Sequence, residues 1–322
     1  ESKITDSEPC YQQSYVKQRP KYTYDGILRT MGHPKGRKLY GGGDPVRGSG
    51  FKRFSSVANI NDKCVGLKEL MEVNKVNPRH KNDKLIHLIS DIKVLILAYE
   101  SVKSNSGNSI LGTDYITLDE INLSWFKNVS KELKAGKYSF KPAHRVYIPK
   151  PEKKDERLLT ISSLRDSVVQ QAIYLILNAI YDPSFLSSSH GSRPKRSIHT
   201  ALKDIKIKFQ GVKWCIEAVI DNNFPNIDHK TLLNLLSERI VCLKFLALIK
   251  KSIKAGYMED KKFVASNKGL FQGNFSSSIL NNIYLHQLDL FMFKLAESYN
   301  KGRYRRKSSD FRRIGYQTKK LV

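Results

Sequence analysis

Three carboxylates lie close together in the stretch IEAVIDNNFPNIDH, residues 216–229. Glu217, Asp221 and Asp228 lie along an apolar run that is typical of a β-strand leading through a turn into a helix. Carboxylate oxygens at such a strand end are ligands that Mg²⁺ prefers, and paired metal ions catalyse phosphoryl transfer. The stretch therefore suggests either a magnesium site or a position from which such a site has been lost.

The elements around this stretch must position it. Their hydrophobic periods and turn residues predict a helix-rich chain with a β-hairpin and one further strand. Ser197 is the predicted N-cap of one helix, and Gly136 and Asp182-Pro183 are predicted to end two others. The predicted helices cover residues 84–102, 118–138, 164–183, 197–208, 229–240 and 276–299; the hairpin covers 145–161 and the strand 213–220.

The chain is strongly basic. Its 322 residues carry 56 Lys and Arg against 30 Asp and Glu, a formal net charge of +26. A surplus of this size attracts a polyanion and opposes self-association, so nucleic acid is the first candidate partner. The alternative is a basic protein whose charge serves only its solubility.

Residues 1–78 differ in composition from the rest. Gly, Pro, Lys, Arg and Tyr dominate, no period of 2 or 3.6 residues is sustained, and aliphatic side chains are too few for a core. We expect an extended basic arm that becomes ordered along a partner, with tyrosines stacking on bases and arginines pairing with phosphates. A linker without a partner is the alternative.

Other kinds of site find little support. The four cysteines, at positions 10, 64, 215 and 242, show no C-x-x-C spacing, and no H-x-x-x-H pair occurs, so we expect neither zinc nor a disulfide framework. No apolar run reaches the roughly 18 residues that span a membrane. We expect no cofactor, no small-molecule substrate and no membrane association.

Long motifs follow one another from about residue 82 to 315. They include FKPAHRVYIPKPEKKDERLLTISSLRDSVVQQAIYLILNAIYDPSF, SSSHGSRPKRSIHTAL, WCIEAVIDNNFPNIDHKTLL and GLFQGNFSSSILNNIYLHQLD. In these motifs the chain resembles the reverse transcriptases of group II introns, of the mitochondrial intron-maturase type. The resemblance implies an α+β fold with reverse-transcriptase-like fingers and a truncated palm. The predicted parts are the arm at 1–78, fingers at 79–210, a partial palm at 211–300 and a basic tail at 301–322.

Departures from the family fall at its catalytic positions. Five residues before Phe224 the family carries a metal-binding Asp, where this chain has Val219, which offers no oxygen to Mg²⁺. Asp221 lies about 6–7 Å further along a strand, more than the roughly 3.5–4 Å between the ions of a two-metal site. The family's Y-x-D-D motif does not occur before Val322. We therefore expect a non-catalytic protein with no metal site.

The chain keeps basic residues of the family's motifs, whereas it departs from the family at the catalytic positions. The family's TPQGG loop reads LFQGN, in which only Gln272 and Gly273 remain, whereas the basic positions of the fingers are kept. Together with the arm and the tail they predict an RNA-binding surface that acts mainly through phosphates. The predicted RNA-binding residues are Arg19, Lys21, Arg29, Lys35, Arg37, Lys38, Arg47, Lys52, Arg53, Lys141, Arg145, Lys150, Lys153, Lys154, Arg157, Arg193, Lys195, Arg196, Arg303, Arg305, Arg306, Lys307, Arg312 and Arg313.

Three functions fit these features. The first is a structural RNA-binding protein that is part of a ribonucleoprotein, the mitochondrial ribosome of the matrix. In this role the chain would bind rRNA and contact neighbouring subunits. The second is a group II intron maturase that assists splicing, alone or as one half of a split protein. The third is an active polymerase assembled from two split genes, in which Asp221 would replace the lost carboxylate of position 219.

Overall fold

The computed structural model describes residues 64–104, 121–149, 156–212, 215–259 and 262–299, together with residues 309 and 313. All of these lie within one structural unit, Arg47–Val322. Residues 1–63 of the predicted arm, and all but two residues of the predicted tail, lie outside the described part. The helices are α1 Val65–Val76, α2 Leu85–Ile89, α3 Ile92–Lys103, α4 Leu123–Ala135, α5 Leu164–Tyr181, α6 Ile198–Lys208, α7 Asn223–Asn226, α8 His229–Ser237, α9 Leu243–Ile253 and α10 Ser277–Tyr299.

The described strands form one mixed sheet in the order β2-β1-β3-β4. They are β1 Ala143–Pro149, β2 Glu156–Ile161, β3 Tyr257–Glu259 and β4 Lys262–Val264. The β1–β2 pair is the predicted hairpin, antiparallel with His144 opposite Ile161, while β1 pairs in parallel with β3. The sheet thus joins strands from both predicted subdomains, fingers and palm. The boundary between those subdomains stays a prediction.

Helix α5 is the centre of the core. Every residue of the helix except Arg165 is buried, which is typical of a helix surrounded by other elements. Ser163 caps its start by accepting a hydrogen bond from Asp166 N, and Asp182-Pro183 ends it as predicted. The buried Asp166 carboxylate accepts hydrogen bonds from Tyr138 Oη and Lys141 N, both at 2.8 Å. These bonds connect the segment before β1 to the helix.

Helix α1 falls inside the range assigned to the extended arm, and that part of the prediction is wrong. Leu67 and Asn74 are both fully buried. The Asn74 and Asn82 side chains exchange two amide hydrogen bonds, at 2.9 and 3.0 Å, and Arg239 Nη2 donates to Asn74 Oδ1 at 2.8 Å. Averaging composition over the whole N-terminal range concealed one amphipathic helix that begins after Cys64.

The long helix predicted over residues 84–102 is two helices. Helix α2 ends at Ser90, whose hydroxyl donates to His87 O, and Asp91 starts α3 by accepting a hydrogen bond from Lys93 N. Ser and Asp compete with helical backbone bonds in this way, so they favour caps over helix interiors. The other predicted helices are confirmed, with Ser197 in a capping box with Thr200 at the start of α6. None of the described helices combines the length and apolar character needed to cross a bilayer.

Candidate nucleic-acid interface

The strand predicted over residues 213–220 is wrong for the six residues that the structure describes. Residues 215–220 have no ladder pairing, and Ile216 and Val219 are 94% and 86% exposed. A strand needs a neighbour whose backbone groups pair with its own, and none of the described strands pairs with this segment. The alternation of apolar residues was therefore not sufficient to form a strand in this segment.

The Asp221 carboxylate lies in the turn that follows this segment. Asn222 has left-handed backbone geometry (φ 46°), which Asn adopts more readily than most residues, and its Nδ2 donates to Asp221 Oδ2 at 2.9 Å. Both residues are exposed, as is Glu217. Asp221 therefore lies at the surface with an amide as its neighbour.

Asp228 has a structural role. It is the N-cap of α8, where its Oδ2 accepts hydrogen bonds from Thr231 N and Thr231 Oγ1, both at 2.7 Å. These two bonds, the backbone one foremost, lower the pKa of the Asp228 carboxyl below its usual range. Because the lowered pKa keeps the carboxylate ionised, the cap weakens only as the pH falls through that pKa.

The donors at this turn do not fit the two magnesium ions that the family uses. The Val219 side chain has no oxygen, and the Asp228 carboxylate caps α8. Glu217 and Asp221 remain, on an exposed segment, whereas a two-metal site needs carboxylates held in fixed positions. Within the described ranges no group of three or more His, Cys, Asp or Glu side chains could hold a metal ion.

The surviving Gln-Gly of the LFQGN loop connects two parts of the fold. Thr160 N in β2 donates to Gln272 O at 2.8 Å. A Cβ on Gly273, whose φ is +111°, would lie 2.6 Å from Thr160 O, so only glycine fits this approach. The retained dipeptide thus fixes the loop against the hairpin.

The same loop also holds the turn before α8. Gly269 N donates to Ile227 O and Leu270 N to Phe224 O, both at 2.8 Å. The His229 side chain is buried, and its Nε2 lies 2.7 Å from Gly269 O. The turn before α8 is therefore held by backbone and side-chain contacts with this loop.

The structure describes only some of the predicted RNA-binding residues. The predicted residues of the arm lie outside the described part, as do Lys150, Lys153 and Lys154 at the tip of the hairpin and all those of the tail except Arg313. Arg157 lies in β2, where only the backbone is described. Of the others, Lys141, Lys195 and Arg313 are exposed, and Arg196 is half-buried with Nη1 donating to Ser187 O at 2.9 Å.

Arg193 is not available to RNA, and its prediction as a contact is wrong. It is 6% exposed, and its Nε donates to Asp182 Oδ1 at 2.8 Å. The remaining guanidinium nitrogens donate to the carbonyls of Leu186, Ser189 and Asp182 at 2.9 to 3.0 Å. The sequence showed a basic motif but not that the loop folds around the guanidinium.

Replacing Arg193 tests this role. The substitution Arg193→Ala should lower the free energy of unfolding by about 2–4 kcal/mol, because it leaves several carbonyls and Asp182 without their donor. Urea unfolding followed by circular dichroism measures the change. Arg196→Ala is the matched control and should cost less than about 1 kcal/mol, since it removes one exposed hydrogen bond. Equal losses in the two variants would contradict the role assigned to Arg193.

Arg145 is also engaged within the protein. Its guanidinium carbon lies 3.6 Å from the centre of the Tyr257 ring, and its Nη1 lies 3.2 Å from Glu259 Oε2. The Tyr147 hydroxyl donates to the same carboxylate, and these two donors, Tyr147 first, lower the pKa of Glu259. The charge of Arg145 is therefore largely balanced within the sheet, which weakens the prediction that it contacts RNA.

The fold brings together a set of lysines that lie more than 100 residues apart in the sequence. Lys244 and Lys251 of α9 donate to backbone carbonyls at the end of α4, which carries its own row of lysines. Within α4 the spacing of Lys127, Lys131 and Lys134 was a visible signal, since residues three and four apart share a helix face. The link to α9 could be seen only in the folded chain.

Comparison with known proteins agrees with this architecture. Residues 148–296 match the reverse transcriptase (RNA-dependent DNA polymerase) family. The chain is 38% identical over 235 residues to the group II intron-encoded protein LtrA of Lactococcus lactis subsp. cremoris, covering 71% of this chain and 39% of LtrA. It is 25% identical over 233 residues to nuclear intron maturase 4, mitochondrial, of Arabidopsis thaliana, covering 71% of this chain and 28% of that protein.

A solved structure, the partial Cas6-RT-Cas1--Cas2 complex, is similar with a TM-score of 0.42 and 21% identity, over 65% of this chain and 35% of that one. The chain spans well under half the length of the two relatives named above. The family match covers the end of β1, all of β2, the central helix α5, the turn at Asp221 and most of α10. The chain therefore belongs to the reverse transcriptase family and is similar to its group II intron-encoded members.

Proposed function

We propose that this chain is a non-catalytic RNA-binding protein derived from a group II intron reverse transcriptase. One observation carries the proposal. Val219 occupies the position of the family's ion-binding carboxylate, and both Val219 and the nearby Asp221 are exposed at the surface. The net charge of +26 supports retention of the RNA-binding role. The loss of metal ligands and the retention of positive charge together favour a protein that binds RNA and does not copy it.

The bound RNA would be held mainly through its phosphates. Lysines supply point charges for this purpose, and lysine contacts of this kind fix an RNA in place without reading its sequence. The buried Arg193 and the paired Arg145 shift the expected contacts to other, exposed basic residues. Binding should therefore depend steeply on salt and only weakly on base sequence.

The relatives favour a group II intron as the bound RNA. One is named a group II intron-encoded protein and another an intron maturase, and both cover about seven tenths of this chain. On this proposal the chain assists splicing as a maturase and stabilises the folded intron. The name of the second relative includes the word mitochondrial, which supports a mitochondrial location for this chain.

A structural role in the mitochondrial ribosome, in the matrix, is the second candidate. It is favoured by the combination of lost metal ligands and high positive charge, since a ribosomal protein needs the charge and not the chemistry. Such a protein would bind rRNA among neighbouring subunits. Neither of the relatives named above has a name that mentions a ribosome, so the intron is the first RNA to test.

Identifying the RNA that is bound to the chain in cells distinguishes the two candidate functions. The tagged chain is immunoprecipitated at about 0.15 M KCl, a concentration at which contacts between lysine and phosphate should persist, and the bound RNA is sequenced. A maturase should recover one intron-containing transcript, and a ribosomal protein should recover rRNA and co-sediment with one ribosomal subunit. Recovery of neither RNA, with no RNA binding by the purified chain at about 0.15 M salt, would contradict the proposed function.

A further inference from the structure

Two rows of lysines meet at the junction of α4 and α9. The row on α4 and the turn after it consists of Lys127, Lys131, Lys134 and Lys137. The row on α9 consists of Lys244, Lys251 and Lys254, which lie on one side of that helix because they are seven and three residues apart. All seven are exposed, and together we call them the lysine face.

Hydrogen bonds fix the two rows relative to each other. Lys244 Nζ lies 3.2 Å from Lys134 O, and Lys251 Nζ lies 2.9 Å from Gly136 O and 3.0 Å from Tyr138 O. Gly136 is the left-handed C-cap of α4, so these ammonium groups lie at the negative end of the helix dipole. The two rows therefore form a single surface with a defined geometry.

Within α4 and α9, acidic side chains do little to offset this surface. Helix α9 contains no acidic residue, and Glu132, the single acidic residue of α4, falls outside the row of lysines on that helix. Among the ion pairs between described residues, none involves a lysine of this set. Within the described part of the chain, no ion pair therefore neutralises the lysine face.

The dimensions suit a nucleic-acid backbone. At about 1.5 Å per residue, the row on α4 from Lys127 to Lys134 is about 10 Å long and the row on α9 about 15 Å. A duplex carries a negative charge about every 1.7 Å of its axis, so two rows of this length can each contact several phosphates. Lysine ammonium groups on a folded surface bind such phosphates as point charges.

We propose that the lysine face binds the phosphate backbone of double-stranded RNA. Its residues are not among the predicted contacts of the hairpin, the arm and the tail, and the proposal rests on the proposed function in requiring that the chain binds RNA. It would anchor a helical segment of the RNA on the surface formed by α4 and α9. Base identity in that segment should have little influence, because lysine-to-phosphate contacts do not read sequence.

The test uses the full chain with Lys127→Gln, Lys131→Gln and Lys254→Gln combined. Lys244 and Lys251 are left unchanged because their bonds hold α9 to the end of α4. The matched control, Lys68→Gln, Lys75→Gln and Lys93→Gln, removes the same charge from exposed positions on α1 and α3. Fluorescence anisotropy with a labelled RNA hairpin of about 20 base pairs gives Kd across a series of KCl concentrations.

The variant of the lysine face should raise Kd on the order of tenfold or more at about 0.15 M salt. Its plot of log Kd against log salt should be shallower by about one unit for each phosphate that the variant no longer neutralises, up to three, while the control stays near wild type. Lysine acetylation with and without RNA provides a second measurement, in which Lys127, Lys131 and Lys254 should be protected. Equal binding by the two variants, or no protection, would overturn the lysine face and leave the proposed function intact.

Two other outcomes are informative. If the wild-type chain binds no RNA at all, the proposed function itself fails. If a DNA duplex of the same sequence binds with equal affinity and shows the same loss in the variant, the assignment to RNA is overturned, because the site would then not distinguish the phosphate arrangement of an A-form RNA duplex from that of DNA.

Discussion

Purified chain incubated with a primed RNA template, deoxynucleotides and Mg²⁺ should yield no extended primer. Phosphoryl transfer by two metal ions requires carboxylates that hold both ions a few ångströms apart. This chain offers Val219 at one ligand position and places Asp221 on an exposed turn beside Asn222. The expected rate is therefore lower by several orders of magnitude than that of an active reverse transcriptase assayed in parallel, at every Mg²⁺ concentration.

The control for that experiment is binding of the same template. Anisotropy should show that the chain holds the primed template, and chelation of Mg²⁺ should change its Kd little if the contacts are between lysine and phosphate. Primer extension that requires Mg²⁺ and disappears in Asp221→Asn would contradict the proposal. It would instead support the polymerase hypothesis, in which Asp221 takes the place of the lost ligand.

Replacing Gly269 by Ala should destabilise the fold more than replacing Gly136 or Gly191 by Ala. The φ of Gly269 is +83°, which costs a residue with a Cβ about 1–2 kcal/mol. A Cβ here would also lie 2.6 Å from Pro225 O, so the backbone of the turn would have to shift. We expect a total loss of about 3 kcal/mol in the free energy of unfolding, measured with urea.

Two further glycines separate these contributions. Gly136 has a φ of +69° but nothing within 4 Å of its Cβ position, so Gly136→Ala should cost about 1 kcal/mol. Gly191 has neither feature, and Gly191→Ala should change stability by less than about 0.5 kcal/mol. If Gly269→Ala cost no more than Gly136→Ala, the contact between the LFQGN loop and the turn before α8 would not be rigid.

Most helices could be predicted because their signals are local. The apolar run and the caps of α5, the capping box at Ser197 and the C-terminal Gly136 all lie within a few residues of the feature they determine. The hairpin was predicted for the same reason, from two apolar strands on either side of a charged turn. The break at Ser90–Asp91 was missed because the apolar period continues across it.

The segment at 215–220 shows where local signals fail. Its apolar alternation predicted a strand, but a strand forms only when another strand accepts its backbone hydrogen bonds. The burial of Arg193 could not be predicted either, because its acceptors are carbonyls oriented by the fold of the loop. In both cases the outcome depends on groups whose positions are set by distant parts of the chain.

The sequence by itself determined the family, the presence of valine at position 219 and the excess of positive charge, since each depends only on residue identity and order. The tertiary structure decided which charges are available. It placed Arg193 in the interior, balanced Arg145 against Glu259, and joined the lysines of α4 and α9 into one surface. Electrostatic attraction depends on distance and solvent exposure, and neither can be read from positions along the chain.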